Sequence, residues 1–371
     1  AETKLEQTYK PIENHEENKV IEATKPMSIL LMGVDTGNSE RTETWAGNSD
    51  SMLVMTINPK TKKTTITSLE RDILTEIDYQ GETIQAKLNA AYQMGGVDLA
   101  IPTIEKMLNM KFDHYLLINM NGLAKLVDAV GGVDVENKLG FPITIQDQEV
   151  DNQIVIGTGK QHLNGEEALV YSRMRYQDPE GDYGRQKRQR EVIKKVVEKV
   201  LSLNSVSHYQ AILKAVSSNM QTNIELTSGS IPQLLGYKDA FRRIDSQQLR
   251  GEDATLADGG SYQIVTRDHL LEMQNILRKS LGLSTLSKLE TNAVLYDEID
   301  GSGGISTSSS ASYSSSLSDA TDTETTYSNN TYSYSTPAST SQGNTITSPS
   351  SVDQTATATP TGQEQSTATG T

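Results

Sequence analysis

SMLVMTINPKTKKTTITSLERD, residues 51–72, is the stretch on which the fold turns. SMLVMTINP and KTTITSLER read as two short strands rich in β-branched and apolar residues, and NPKTKK between them reads as a turn. Just upstream, MSILLMGVD (27–35) is a third apolar run, ending in Gly and Asp. Such bounded apolar runs are the pattern of buried strands.

Working outward, helices alternate with these strands. AKLNAAYQMGG predicts a helix ended by glycines, and VDLAIPTIEKMLNM a second one, bent near Pro102. HYLLIN predicts a strand, GLAKLVDAVGG a helix stopped by Gly131 and Gly132, and VDVE the start of another strand. LNGEEALVYSRMR reads as helical. So does GRQKRQREVIKKVVEKVLS, where Ile193, Val196, Val197 and Val200 recur at helical spacing. SHYQAILKAVSSNM and SIPQLLGYKDAF predict two more helices. FRRIDSQQL and SYQIVT predict a short strand pair, and RDHLLEMQNILRKSLGL a last helix. Strands interleaved with helices point to an α/β domain with helices on both faces of one sheet.

The two ends differ from this middle. Residues 1–26 are polar and without clear periodicity, and read as a spacer, one that would follow a membrane anchor absent from this chain. Residues 301–371 hold no Lys or Arg and are dominated by Ser and Thr, so they read as a disordered tail next to a domain spanning 27–300. The tail carries five acids, which leaves −10 of the formal −15 on residues 1–300. That acidity argues against nucleic acid as a partner. With no cysteine and five scattered histidines, disulfides, thiolate chemistry and a His-rich zinc site are not expected. The sequence has no apolar run of about 18 residues, the length a membrane-spanning helix needs.

Against the acidic background, YSRMRYQDPEGDYGRQKRQR (171–190) gathers Arg173, Arg175, Arg185, Arg188 and Arg190. On one helix, Arg185, Arg188, Gln189 and Val192 share a stripe with Val196, so Arg185 and Gln189 should face the protein body. Buried guanidinium groups need anionic partners. Asp182 supplies one carboxylate for several arginines, which suggests an external phosphate or pyrophosphate. The alternative is a salt-bridged cluster using Asp178, Glu180 and Asp182. Asp35 ends one strand and Asp50 precedes the next, so the two could share a hard cation, or could simply be turn residues. Arg71 ends the third strand beside Glu70 and Asp72, where an ion pair is the plain reading. Lys87, Asn89 and Tyr92 are expected to open the following helix.

GVD, NSDSMLVMTINPKTKKTTITSLERD, KLNAAYQMGG, LVDAVGGVDV and LNGEEALVYSRMRYQDPEGDYGRQKRQREVI, in that order across residues 27–202, together resemble the LytR-CpsA-Psr family. The resemblance implies a three-layer α/β/α sandwich with a central mixed sheet and a hydrophobic groove for a lipid. It also implies an enzyme on the extracytoplasmic face of a Gram-positive membrane. Such an enzyme moves a glycopolymer phosphate (wall teichoic acid, capsule or another wall polysaccharide) from a polyprenyl-pyrophosphate carrier to a peptidoglycan hydroxyl. Carried over by residue, Asp35 and Asp50 match a Mg²⁺ site, with Mn²⁺ an alternative ion. Arg71 and Asp182 match catalytic positions. Lys87, Arg173, Arg175, Arg185, Arg188 and Gln189 match pyrophosphate contacts. Asp182 and Asp50 are both open as the proton acceptor. Glu70 departs from the family, which more often has proline there. Rival readings are a phosphodiesterase or pyrophosphatase using water, a non-catalytic lipid-glycan binder and a transcriptional regulator, which would need a basic recognition helix.

Overall fold

The computed structural model describes residues 8–13, 23–35, 45–145, 153–202, 206–227 and 229–299. The Ser/Thr-rich stretch from 301 on lies outside them. In chain order the strands are β1 (Met27–Asp35), β2 (Asn48–Asn58), β3 (Lys63–Leu69), β4 (Leu74–Tyr79), β5 (Glu82–Lys87), β6 (His114–Asn119), β7 (Val133–Asn137), β8 (Gly159–Leu163), β9 (Met220–Thr222), β10 (Arg243–Leu249), β11 (Glu252–Thr255) and β12 (Ser261–Ile264). The α-helices are α1 (Ala90–Leu108), α2 (Met120–Ala129), α3 (Gly165–Arg173), α4 (Asp182–Ser202), α5 (Val206–Val216), α6 (Ser230–Leu235) and α7 (Arg267–Ser280).

Six strands form one mixed sheet in the order β10-β3-β2-β1-β6-β9. β1, β2 and β3 run antiparallel, while β6 lies parallel to β1 and β10 parallel to β3. The apolar runs are near-continuous because both faces are covered. Leu30, Met32, Val34, Met52 and Val54 face one side, against Ile101, Ile104 and Leu108 of α1 and Leu270, Met273 and Leu277 of α7. Met27, Ile29, Leu53, Met55 and Ile57 face the other, against Ile193 and Val197 of α4 and residues 234–241. A third apolar cluster joins β7 and β8 to α2, α3 and α4 through Val127, Val133, Val170, Val192 and Val196.

Four expectations change. The bend in α1 falls at Gly95 and Gly96, where Gly96 has φ 62°, and not at Pro102. A positive φ costs glycine little, whereas Pro102 sits inside the second helical segment. Lys87 closes β5 rather than opening the helix, because Leu74–Tyr79 and Glu82–Lys87 pair as a hairpin. FRRIDSQQL and SYQIVT both yield strands but do not pair with each other: β10 joins β3 and β12 joins β11. Finally, part of the polar N-terminal stretch is packed. Tyr9 bridges Thr222 beside β9, and Thr8 and Ile12 are buried.

A candidate site at the carboxyl end of β1

The site forms where β1, β2 and β3 meet the start of α4. The register of β1 on β2 shifts between Gly33, opposite Ser51, and Val34, opposite Ser49. Asp50 is the extra residue of this bulge, and a bulge re-aims a side chain out of the strict alternation. Its Oδ1 accepts from Arg71 Nη1 at 2.7 Å, while no described residue donates to its other oxygen. Asp35 ends β1 with its backbone opposite Asn48, and its side chain is outside the described part.

α4 begins at Asp182, where a helix N-terminus favours negative charge. Asp182 lies 2.9 Å from Arg185, 3.7 Å from Arg175 and 4.0 Å from Arg71. Burial alone would raise the Asp182 carboxyl, but Arg185, a hydrogen bond with Glu70 and Arg71 hold it below the usual range. Burial likewise works against the Arg71 charge, and Asp50, Asp182 and Asp72 outweigh it. Arg185 also donates to the Asp50 backbone oxygen at 3.3 Å. The Nε atoms of Arg71 and Arg185 are buried and find no hydrogen-bond partner among the described residues. Arg185 and Gln189 are buried, as the helical stripe required.

Arg188 is turned away from this group. It donates to Asp178 and to the Tyr171 and Met174 carbonyls, pinning the end of α3 to α4. Gly184 makes that clamp possible, because a Cβ there would overlap the Asp178 carboxylate. Lys187 pairs with Glu180. The ion pairs weighed as the alternative to a bound anion are therefore all formed. An excess of cations over carboxylates does not by itself call for an external anion. What remains is the set of spare donors on Arg71 and Arg185, and the half-exposed Arg175. Lys87 sits at the rim, 2.9 Å from Asp72 and 5.6 Å from the Tyr262 ring centroid.

Behind the cluster, between the sheet and α4, α5 and α6, lies a cavity of about 370 Å³ lined by Ile29, Leu53, Met55, Ile193, Ile212 and Leu234 among other apolar side chains. Arg173 and Gln189 also line it, so the polar cluster and the apolar space share a wall.

Sequence reasoning missed Gln186, and took Asp72 and Glu70 only for ion-pair partners of Arg71. Asp72 pairs with Lys87 and flanks Arg71. Gln186 is 3% exposed and donates to Asp182 at 3.2 Å. Glu70, 2% exposed, accepts from the same Gln186 amide. The i, i+4 step from Asp182 to Gln186 was the available signal.

A mixed sheet covered by helices, with guanidinium groups and carboxylates above an apolar cavity, defines an α/β protein suited to an amphiphilic anion. The LytR_cpsA_psr family matches residues 1–279, and the chain belongs to that family. It is 57% identical over 298 residues to Biofilm regulatory protein A of Streptococcus mutans, covering 78% of this chain and 73% of that one. It is 46% identical over 280 residues to the polyisoprenyl-teichoic acid–peptidoglycan teichoic acid transferase TagU of Enterococcus faecalis, covering 75% of this chain and 88% of that one. A solved structure from Streptococcus agalactiae superposes with a TM-score of 0.72 at 56% identity, over 76% of this chain and 97% of that one.

Proposed function

We propose that this chain transfers a glycopolymer phosphate from a polyprenyl-pyrophosphate carrier to a peptidoglycan hydroxyl. One observation carries the reading: Arg173 and Gln189 line the apolar cavity while Arg175 and Arg185 gather on Asp182 beside it. A lipid-linked pyrophosphate has this shape, an apolar chain ending in concentrated negative charge. The relative named a polyisoprenyl-teichoic acid–peptidoglycan transferase supports the same substrate class.

In this reading the prenyl chain occupies the cavity and the pyrophosphate takes the spare donors of Arg71, Arg175 and Arg185. The acceptor hydroxyl attacks the glycan-side phosphorus and gives its proton to Asp182. The bond to the lipid phosphate breaks, and the guanidinium groups stabilise the charge that develops on the leaving oxygen. Mg²⁺, or Mn²⁺, would be held by Asp50, whose second oxygen takes no donor among the described residues, together with Asp35, and would neutralise phosphate charge. Action on the wall places the protein on the extracytoplasmic face of the membrane, and attachment through an N-terminal anchor belongs to the same proposal. None of the described helices is long and apolar enough to span a bilayer.

The test combines purified protein, a synthetic prenyl-pyrophosphate glycan, peptidoglycan oligomers and Mg²⁺, with products resolved by mass. Glycan phosphate joined to the oligomer, with prenyl phosphate released, is expected. Equal release without the oligomer would replace transfer by hydrolysis, and binding without turnover would reduce the protein to a carrier.

A further inference from the structure

Glu70 stands at the end of β3, where its backbone N–H donates to the Leu249 carbonyl of β10. Its side chain reaches the start of α4. There the single amide nitrogen of Gln186 donates both to Glu70 Oε2 and to Asp182 Oδ2. Gln186 is itself held from the far side by Gln248 Nε2, which donates to its Oε1 at 3.3 Å. The side-chain amide is thus fixed with its nitrogen toward the carboxyl groups, and it tethers two buried acids to one point.

The charged and titratable groups around Glu70 come from every neighbouring element. α4 brings Asp182, Tyr183 and Arg185, and the turn after β3 brings Arg71 and Asp72. Arg250, just after β10, lies over the Tyr183 ring at 4.1 Å, and Asp253 of β11 receives Gln263. The nearby arginines are already directed elsewhere: Arg71 to Asp50, and Arg185 to Asp182 and the Asp50 carbonyl. Among the described residues no cation pairs with Glu70. Two buried carboxylates gathered on one amide nitrogen repel when both are charged, which favours retaining one proton between them.

We propose that Glu70 and Asp182 form a carboxyl pair sharing one proton, in which protonated Glu70 positions Asp182 by donating a hydrogen bond to it. Glu70 is the member that keeps the proton because the arginines gather on Asp182. Its carboxyl is pushed up to about 8, by burial first and by Asp182 second. As a positioning residue it holds Asp182 ionised and turned to Arg71, Arg175 and Arg185. Loss of the proton to solvent leaves two adjacent anions, which compete with an incoming phosphate for the same guanidinium groups. The inference deepens the transferase reading and, for its functional consequence, rests on it.

The sign of the stability effect follows from the raised carboxyl. The stabilisation from neutral Glu70 is fully present below the ordinary glutamate value of 4.5 and is lost as pH rises to about 8. Glutamine imitates the protonated acid, donating through its nitrogen and accepting through its oxygen. Melting midpoints of wild type and Glu70→Gln should therefore nearly coincide at the acid end of that window and separate through it, with the variant higher at alkaline pH. A constant difference across the range overturns the pair. Wild type alone supplies a second measurement, independent of whether the variant folds. An infrared carbonyl band from a protonated carboxyl should persist at neutral pH and vanish with a midpoint near 8. Its absence at neutral pH overturns the proposal. Neither measurement needs a substrate, so a preparation without turnover counts against the transfer reading and leaves the pair to be judged on these two. With turnover, kcat/KM of wild type should fall through the same midpoint, mainly through KM, and the ratio of alkaline to neutral kcat/KM should be higher in Glu70→Gln. An identical pH profile in the two proteins overturns the positioning role.

Discussion

The two faces of the central sheet are built from the same strands and finished differently. On one, α1 and α7 close over Leu30, Met32, Met52 and Val54, and Ile101, Ile104, Met107 and Leu277 are fully buried. On the other, α4, α5 and α6 stand off far enough to leave about 370 Å³ beside Leu53 and Met55. Interiors ordinarily pack without voids of this size. The first face supplies stability. The second gives some up, and Arg173 and Gln189 sit at its wall. The lesson is that the function-bearing half of a sandwich is recognisable by what its apolar residues fail to fill.

The largest expected effect tests the clamp that holds the open face together. Arg188→Ala leaves the buried Asp178 carboxylate without its cation and frees the Tyr171 and Met174 carbonyls. A loss of about 3–5 kcal/mol in denaturant unfolding is expected. A near-neutral result would mean that Arg188 serves a ligand and not the fold.

The faces themselves are compared by matched truncations. Ile101→Ala on the closed face should cost about 2–5 kcal/mol, whereas Ile193→Ala, on a side chain bordering existing space, should cost clearly less. Equal losses, measured by urea unfolding, would remove the distinction between the faces.

In the polar cluster, Arg71→Ala should reduce kcat/KM for transfer by about 10²–10³, in line with removal of a preorganised donor. Asp50 would lose its partner at 2.7 Å, so the folded fraction must be measured alongside. Full activity in a folded variant would take Arg71 out of the site.

The smallest change in stability should come from filling the space. Val197→Phe places a larger side chain toward the cavity and should alter stability by no more than about 1.5 kcal/mol. Retention of prenyl phosphates, assayed by lipid extraction and mass, should drop sharply. Unchanged retention would separate the cavity from lipid binding.

The sequence by itself determined the strands of the sheet's centre and most of the helices. A strand buried on both faces must be apolar almost throughout, so MSILLMGVD and SMLVMTINP carry their own assignment. The inward turn of Arg185 and Gln189 was equally legible, because helical spacing ties them to Val192 and Val196. The motif order from residue 27 to residue 202 also sufficed for the family. Strand partners were not legible. β10 lies on β3 with Arg243 opposite Lys63, and the hydrogen bonds that pair them come from backbone groups every residue shares. Periodicity says which way a side chain points and is silent about which strand lies alongside. The same holds for charge: a residue list shows arginines and acids, but only packing committed Arg188 to Asp178 and left Glu70 without an ion-pair partner among the described residues. Tertiary structure alone brought Glu70 and Asp182 to one Gln186 amide and opened the space between the sheet and α4, α5 and α6. Both depend on the distance between elements remote in the chain, and local pattern carries no information about that distance.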